Sequence, residues 1–160
     1  MKLIYEKTRE VKDPKFSSGN AGIDFFIPEI IEYTIFNEPN GYSGVANSTS
    51  SEIHLQRGDS IKISSGIKLD LPDGFAVDLV NKSGVALNGL TIGAELIDSS
   101  YTGEINFHLI AHRRFIIEPG MKIVQGIIIR DFIDDFVIKP GAVRKITSRG
   151  DGGFGSTGIK

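Results

Sequence analysis

The stretch DSIKISSGIKLDLPDGFAVDLV (residues 59–80) decides the fold. Apolar side chains recur at alternate positions through Ile61 and Ile63, then Ile67, Leu69 and Leu71, then Phe75, Val77 and Leu79. A period of two turns one face of each run toward a core and the other toward solvent, as half-buried strands require. The runs are interrupted at Ser65-Gly66 and Pro72-Asp73-Gly74, turn chemistries that close strand pairs. Outward from there, GEINFHLI repeats the alternation at Ile105, Phe107 and Leu109, and KIVQGIIIRDF is a further β-branched run. Asn88-Gly89 and Pro119-Gly120 mark more turns. Many short strands, with 19 Gly and 6 Pro, predict an all-β sandwich or barrel. Only SGVAL reads as the start of a short helix, and no internal repeat is present. Residues 36–52, FNEPNGYSGVANSTSSE, are polar and turn-rich and read as a long loop or an added hairpin on the β framework.

Length and composition bound the function. At 160 residues the chain suits one domain with a real core. A net charge of -2 gives no broad basic field for nucleic acid. The absence of cysteine excludes disulfides, thiolate metal sites and thiol catalysis. The opening MKLIYEKTREVKD lacks the apolar run of a signal peptide and no later segment suits a bilayer, so the expected setting is cytoplasmic, with a bacterial, viral or phage source.

Three motif matches carry little. Gly150, Gly152 and Gly155 fit G-x-G-x-x-G, but a dinucleotide fingerprint needs a strand before it and a helix after it, and only five residues follow. Asn47-Ser48-Thr49 and Asn81-Lys82-Ser83 match a glycosylation sequon without a secretory signal. His108 and His112, four apart, would share one face of a strand, yet no third metal ligand accompanies them.

The polar groups beside the turns are more informative. Asp24 in AGIDF is either a turn-capping aspartate or a ligand. In NKSGVA, Lys82, the Ser83 hydroxyl and the N–H groups around Gly84 form either an anion nest or an exposed turn with a helix cap. Asp98, in GAELIDSSYTGEI, is either a turn residue or a partly buried general base, with Tyr101 and Glu104 following. Gln125 interrupts an apolar run and must find a partner or a ligand. Glycine-lined N–H groups with Lys82, Arg149, Ser83, Ser156 and Thr157 suit a polyphosphate, and two separated carboxylates suit a divalent metal and a water-activating base. The residues alone thus point to a hydrolase or binder of a phosphorylated ligand, with attack by water.

The order of these segments resembles the trimeric dUTPases, a family with five short motifs. AGIDF (21–25), NKSGVA (81–86), GAELIDSSYTGEI (93–105), GMKIVQGII (120–128) and RGDGGFGSTG (149–158) are similar to the five in sequence order, the last almost letter for letter. The resemblance implies a distorted jelly roll with one short helix, residues 1–148 forming the β domain and 149–160 a glycine-rich arm closing over an active site. It implies a homotrimer with shared sites, Mg2+ as cofactor, and hydrolysis of dUTP to dUMP and pyrophosphate, which keeps uracil out of DNA; neither nucleic acid nor membrane is an expected partner.

Residue by residue, the resemblance implies that Asp98 activates the water attacking the α-phosphorus and that Asp24 holds Mg2+ through its waters. Lys82, Ser83, Gly84, Gln125, Arg149, Gly155, Ser156 and Thr157 would bind the phosphates. Main-chain groups of Glu95, Leu96 and Ile97 would read the uracil edge, Tyr101 would pack under the deoxyribose, and Phe154 would cover the base. Departures from the family pattern are Asn81-Lys82 for Pro-Arg, Met121-Lys122 for Asp-Arg, Ser100 for an aspartate and Glu95 for a glycine. The 36–52 insert is longer than usual and raises a role in binding a protein partner. A dCTP deaminase relative and a regulator that keeps the pocket as a switch are the alternative readings; the glycine-rich tail argues against the first.

Overall fold

A computed structural model of the chain describes residues 2–36 and 48–142. Strands dominate: β1 (Ile4–Lys7), β2 (Ile23–Phe25), β3 (Ile31–Phe36), β4 (Ser48–Ser50), β5 (Ile53–Leu55), β6 (Ser60–Ser64), β7 (Ile67–Asp70) and β8 (Phe75–Asn81). The one α-helix among the described residues, α1 (Ser83–Leu87), follows, then β9 (Leu90–Ala94), β10 (Leu96–Asp98), β11 (Asn106–Ala111), β12 (Phe115–Ile117) and β13 (Val124–Arg130). A 3-10 turn at Ile133–Asp135 was not foreseen. The helix lies where SGVAL predicted it.

One sheet runs β10-β8-β13-β2 and a second β4-β3-β6-β11-β9; β1-β7 and β12-β5 form two-stranded ribbons beside them. All ladders are antiparallel. The result is an all-β, jelly-roll-like sandwich. Alternation survives in three dimensions: Ile61 and Ile63 on β6 and Phe107, Leu109 and Ala111 on β11 all face inward. Val77 and Leu79 on β8, Phe25 on β2 and Val124 on β13 close the core from the other sheet. Phe25 and Phe107 meet across it with ring centroids 6.1 Å apart and planes tilted by 52°. Truncating either ring to alanine would cost roughly 3–5 kcal/mol.

The turns read in residues 59–80 reverse the chain as expected. Gly66 and Gly74 take φ of 77° and 79°, the left-handed region that a side chain disfavours. The alternation holds to Leu71, which is buried one residue past the end of the β7 ladder at Asp70. One expectation is corrected. His112 lies beyond the last residue of β11, so it does not share a strand face with His108; His108 Nε2 bonds Ser60 Oγ at 2.7 Å and His112 Nε2 bonds Thr91 Oγ1 at 2.8 Å.

Residues 36–52 contain the second strand of a hairpin, β4, which pairs with β3. Tyr33 pairs with Ser48, Glu32 with Thr49 and Ile31 with Ser50, so the segment leaves and rejoins one edge of the larger sheet. Its central part, 37–47, lies outside the described residues, as does the arm at 149–160. Among the described residues no helix is long and apolar enough to cross a membrane. β8 positions the candidate site segments, which lie toward its two ends.

Candidate active site

At the far end of β8, three neighbouring strands bring one group of predicted residues together. Gln125 on β13 sits opposite Asp24 on β2 and opposite Val80 on β8. Lys82, the residue after the strand and its Asn81, donates from Nζ to Asp24 Oδ1, while Lys122 Nζ lies 3.2 Å from Asp24 Oδ2. Burial pushes the Asp24 carboxyl up, but hydrogen bonds and charge from Lys82 and Lys122 more than reverse this and hold it below the usual carboxylate value. Both lysines that depart from the family's arginines therefore converge on one aspartate, where a point charge on a flexible stem suffices and no two-pronged grip is needed.

Gln125 finds the partner its position demanded: its Nε2 donates to the Asn81 carbonyl at 3.3 Å. Gly22 makes room for it, since a Cβ there would lie 3.0 Å from Gln125 Oε1. Asn81 Oδ1 in turn accepts the Ile92 N–H at 2.8 Å and ties β8 to β9. Beside this cluster α1 begins. The N–H groups of Val85 and Ala86 both reach the Lys82 carbonyl at 2.9 Å, whereas no backbone carbonyl among the described residues takes those of Ser83 and Gly84. A cavity of about 310 Å³ opens there, lined by Lys82, Ser83, Gly84, Val85, Asn88, Phe115 and Gln125. An ammonium group, a hydroxyl, a carboxamide and unpaired N–H groups around one opening are the equipment of a phosphate cradle.

Lys122, Asn81 and Phe115 were not among the predicted site residues. Lys122 was signalled by its place in the fourth motif-like segment. Phe115 had no signal, because it comes to the cavity from β12, on a different ribbon.

The second group lies elsewhere. β10 forms one edge of its sheet and pairs with the near end of β8: Leu96 opposite Asp78, Ile97 opposite Val77, Asp98 opposite Ala76. The Glu95 carbonyl accepts the Leu79 N–H at 2.7 Å, so its oxygen is already used, while its side chain is exposed to solvent. Leu96 turns its main-chain N–H and C=O to the open outer edge, whereas those of Ile97 face Val77 within the ladder. Asp98 is exposed rather than partly buried, which corrects the expectation for a hairpin carboxylate. Tyr101, 43% exposed, donates its N–H to the Asp98 carbonyl at 3.1 Å and its hydroxyl to the Glu104 carbonyl at 2.8 Å.

The two groups do not meet within one chain. Asp98 is level with Ala76 and Lys82 lies six residues further along β8, a span of roughly 20 Å at about 3.3 Å per residue. Arg149, Phe154, Gly155, Ser156 and Thr157 lie outside the described residues. Among the described residues no three His, Asp or Glu side chains gather as a metal cage. A single ionised carboxylate, Asp24, beside a phosphate cradle fits a different arrangement, in which Mg2+ arrives on phosphates and keeps most of its waters.

Comparison with known proteins agrees with this chemistry. The dUTPase family model matches residues 39–158. The deoxyuridine 5'-triphosphate nucleotidohydrolase of Clostridium novyi is 33% identical, across 99% of this chain and 100% of that protein. The corresponding protein of Hydrogenobaculum is 31% identical, across the full length of both. Among solved structures, the Staphylococcus bacteriophage 80alpha dUTPase with dUpNHpp superposes with a TM-score of 0.70 at 19% identity, covering 99% of each chain. The native EIAV dUTPase does so with a TM-score of 0.65 at 22% identity, covering 91% of this chain and all of that one. The chain belongs to the dUTPase family, and its activity is the hydrolysis of dUTP.

Proposed function

We propose that dUTP is cleaved to dUMP and pyrophosphate at sites shared between copies of the chain, with the Asp98 end of one copy facing the Lys82 end of another. The observation that carries this is the span of roughly 20 Å between the two groups along β8. A water-activating carboxylate must lie within hydrogen-bond reach of its water, and that water within reach of the phosphorus. Exposed apolar side chains at Phe132, Ile133, Phe136, Val137 and Ile138 support association, because a surface of this kind favours burial against another chain. A homotrimer is the assembly proposed.

In this reading Asp98 takes a proton from water as its oxygen attacks the α-phosphorus. The bond from that phosphorus to the bridging oxygen breaks, and pyrophosphate leaves. Lys82, the Ser83 and Gly84 N–H groups and Gln125 hold phosphate oxygens, and the pairing of Lys82 with Asp24 fixes the ammonium in place before substrate arrives. Mg2+ on the triphosphate would supply charge neutralisation, with Asp24 holding it through its waters. Main-chain groups of the 95–97 segment read the uracil edge, chiefly at Leu96 because Glu95 and Ile97 turn theirs to β8. Tyr101 supports the deoxyribose, where a 2′-hydroxyl would clash. The arm at 149–160 supplies Arg149, Gly155, Ser156 and Thr157 to the phosphates and Phe154 to the base, and its closure excludes bulk water.

A steady-state panel of dUTP, UTP, dTTP and dCTP with Mg2+ tests the reading. Pyrophosphate release confined to dUTP is expected; ammonia release from dCTP, or equal turnover of UTP, would overturn it.

A further inference from the structure

Glu104 is fastened at both of its ends. Its carboxylate accepts Arg9 Nη2 at 2.9 Å and the Gly66 N–H at 2.6 Å. Its carbonyl accepts the Tyr101 hydroxyl at 2.8 Å and Asn106 Nδ2 at 2.9 Å. The next residue is locked as well, since Ile105 N–H reaches the Ile67 carbonyl at 2.9 Å and its own carbonyl takes the Ser65 N–H at 3.0 Å. Arg9 completes the arrangement by placing Nη1 2.6 Å from Glu32 Oε2. Burial disfavours the guanidinium charge, but the two carboxylates outweigh it and hold its pKa above the ordinary value. Gly66 permits the approach: a Cβ there would lie 2.8 Å from Arg9 Cγ.

These contacts lie behind the loop that carries Asp98 and Tyr101, and none of them touches the phosphate cradle. The loop's outer face is exposed, so its shape depends on these inner contacts and on the turn bond from the Tyr101 N–H to the Asp98 carbonyl. We infer that Arg9, acting through Glu104, is a positioning residue that holds the Tyr101 ring at the height that admits a deoxyribose and rejects a ribose. The inference rests on the sugar-facing role proposed above for Tyr101. Discrimination against one added hydroxyl depends on a shelf that cannot yield, because a shelf free to drop by an ångström accommodates the extra oxygen. Without the guanidinium, Glu104 and Glu32 lose their shared counter-ion, the Glu104 carboxylate keeps only the Gly66 N–H, and the Tyr101 shelf gains play.

The test compares kcat/KM for dUTP and UTP in the full-length wild-type protein and in Arg9→Met, Glu104→Gln and Glu32→Gln, each with a thermal unfolding curve. Glu32→Gln weakens the ion pairs without touching the loop. It should lower Tm and leave the dUTP-to-UTP ratio within about twofold. Arg9→Met should lower that ratio by about tenfold, mostly through better use of UTP. Glu104→Gln keeps an acceptor for Gly66 and serves if Arg9→Met does not fold; its ratio should fall by about threefold. An unchanged ratio in a folded, active Arg9→Met or Glu104→Gln protein, or an equal change in Glu32→Gln, overturns the inference. A wild-type protein that does not prefer dUTP overturns the sugar-facing role itself, so the two failures are distinguishable.

Discussion

The two ends of β8 are built by opposite means. At the Lys82 end, β2, β8 and β13 lie side by side, and Asp24, Lys82, Lys122, Asn81 and Gln125 hold one another through ion pairs and hydrogen bonds. At the Asp98 end, a three-residue edge strand runs into an exposed turn held from behind by Glu104 and Ile105. The first end is preorganised for highly charged phosphates, which need fixed dipoles and cations. The second presents its carboxylate and ring outward, toward something that a single chain does not supply. In the proposed assembly, a chain divided in this way carries two half-sites that face different neighbours.

The largest expected effect separates the ends by chemistry. Asp98→Asn should lower turnover by about 10³-fold, the scale of a lost general base, while thermal unfolding stays where it was, because the exposed carboxylate carries no packing. A comparable loss of stability would mean that Asp98 is structural and would erase the contrast.

Lys82→Met should behave differently. Turnover should fall by about 100-fold, the scale of one lost transition-state donor. Stability should fall by about 1–2 kcal/mol in urea unfolding, because Asp24 keeps only Lys122 as a partner. A full-activity Lys82→Met protein would break the cradle assignment.

The smallest effect is expected in acid. Asp24 is depressed in the folded state, so its stabilising contribution is complete above the ordinary carboxylate range and is lost as pH falls through its lowered folded value. Removing Lys82 lessens the depression, and the acid-unfolding midpoint of Lys82→Met should therefore move to higher pH. An unmoved midpoint would show that Lys122 alone sets the Asp24 charge.

The legibility of the sequence follows the same division. Alternation at Ile61 to Leu79, with glycine turns at Gly66 and Gly74, made the strands and the core readable, because period two is a local property. The motif-like segments singled out Asp24, Lys82, Gln125, Asp98 and Tyr101 as individual candidates. Pairings between them were not readable. Lys122 on Asp24, Phe115 beside the cradle and Arg9 on Glu104 arise from ladders between distant segments, and register is decided by packing across the sheet. The exposure of Asp98 was misjudged for a related reason: burial of an edge-strand residue depends on what covers the edge.

Subunit complementation tests the central claim most directly. Asp98→Asn and Lys82→Met proteins, each nearly inactive, are mixed one to one, unfolded and refolded together so that their subunits exchange. If each site takes Asp98 from one copy and Lys82 from another, about one quarter of sites in random assemblies carry both intact residues. Turnover should then recover to about a quarter of wild type. If a single chain supplied both residues, no subunit in the mixture would be intact, and activity no higher than the average of the two variants would contradict the account.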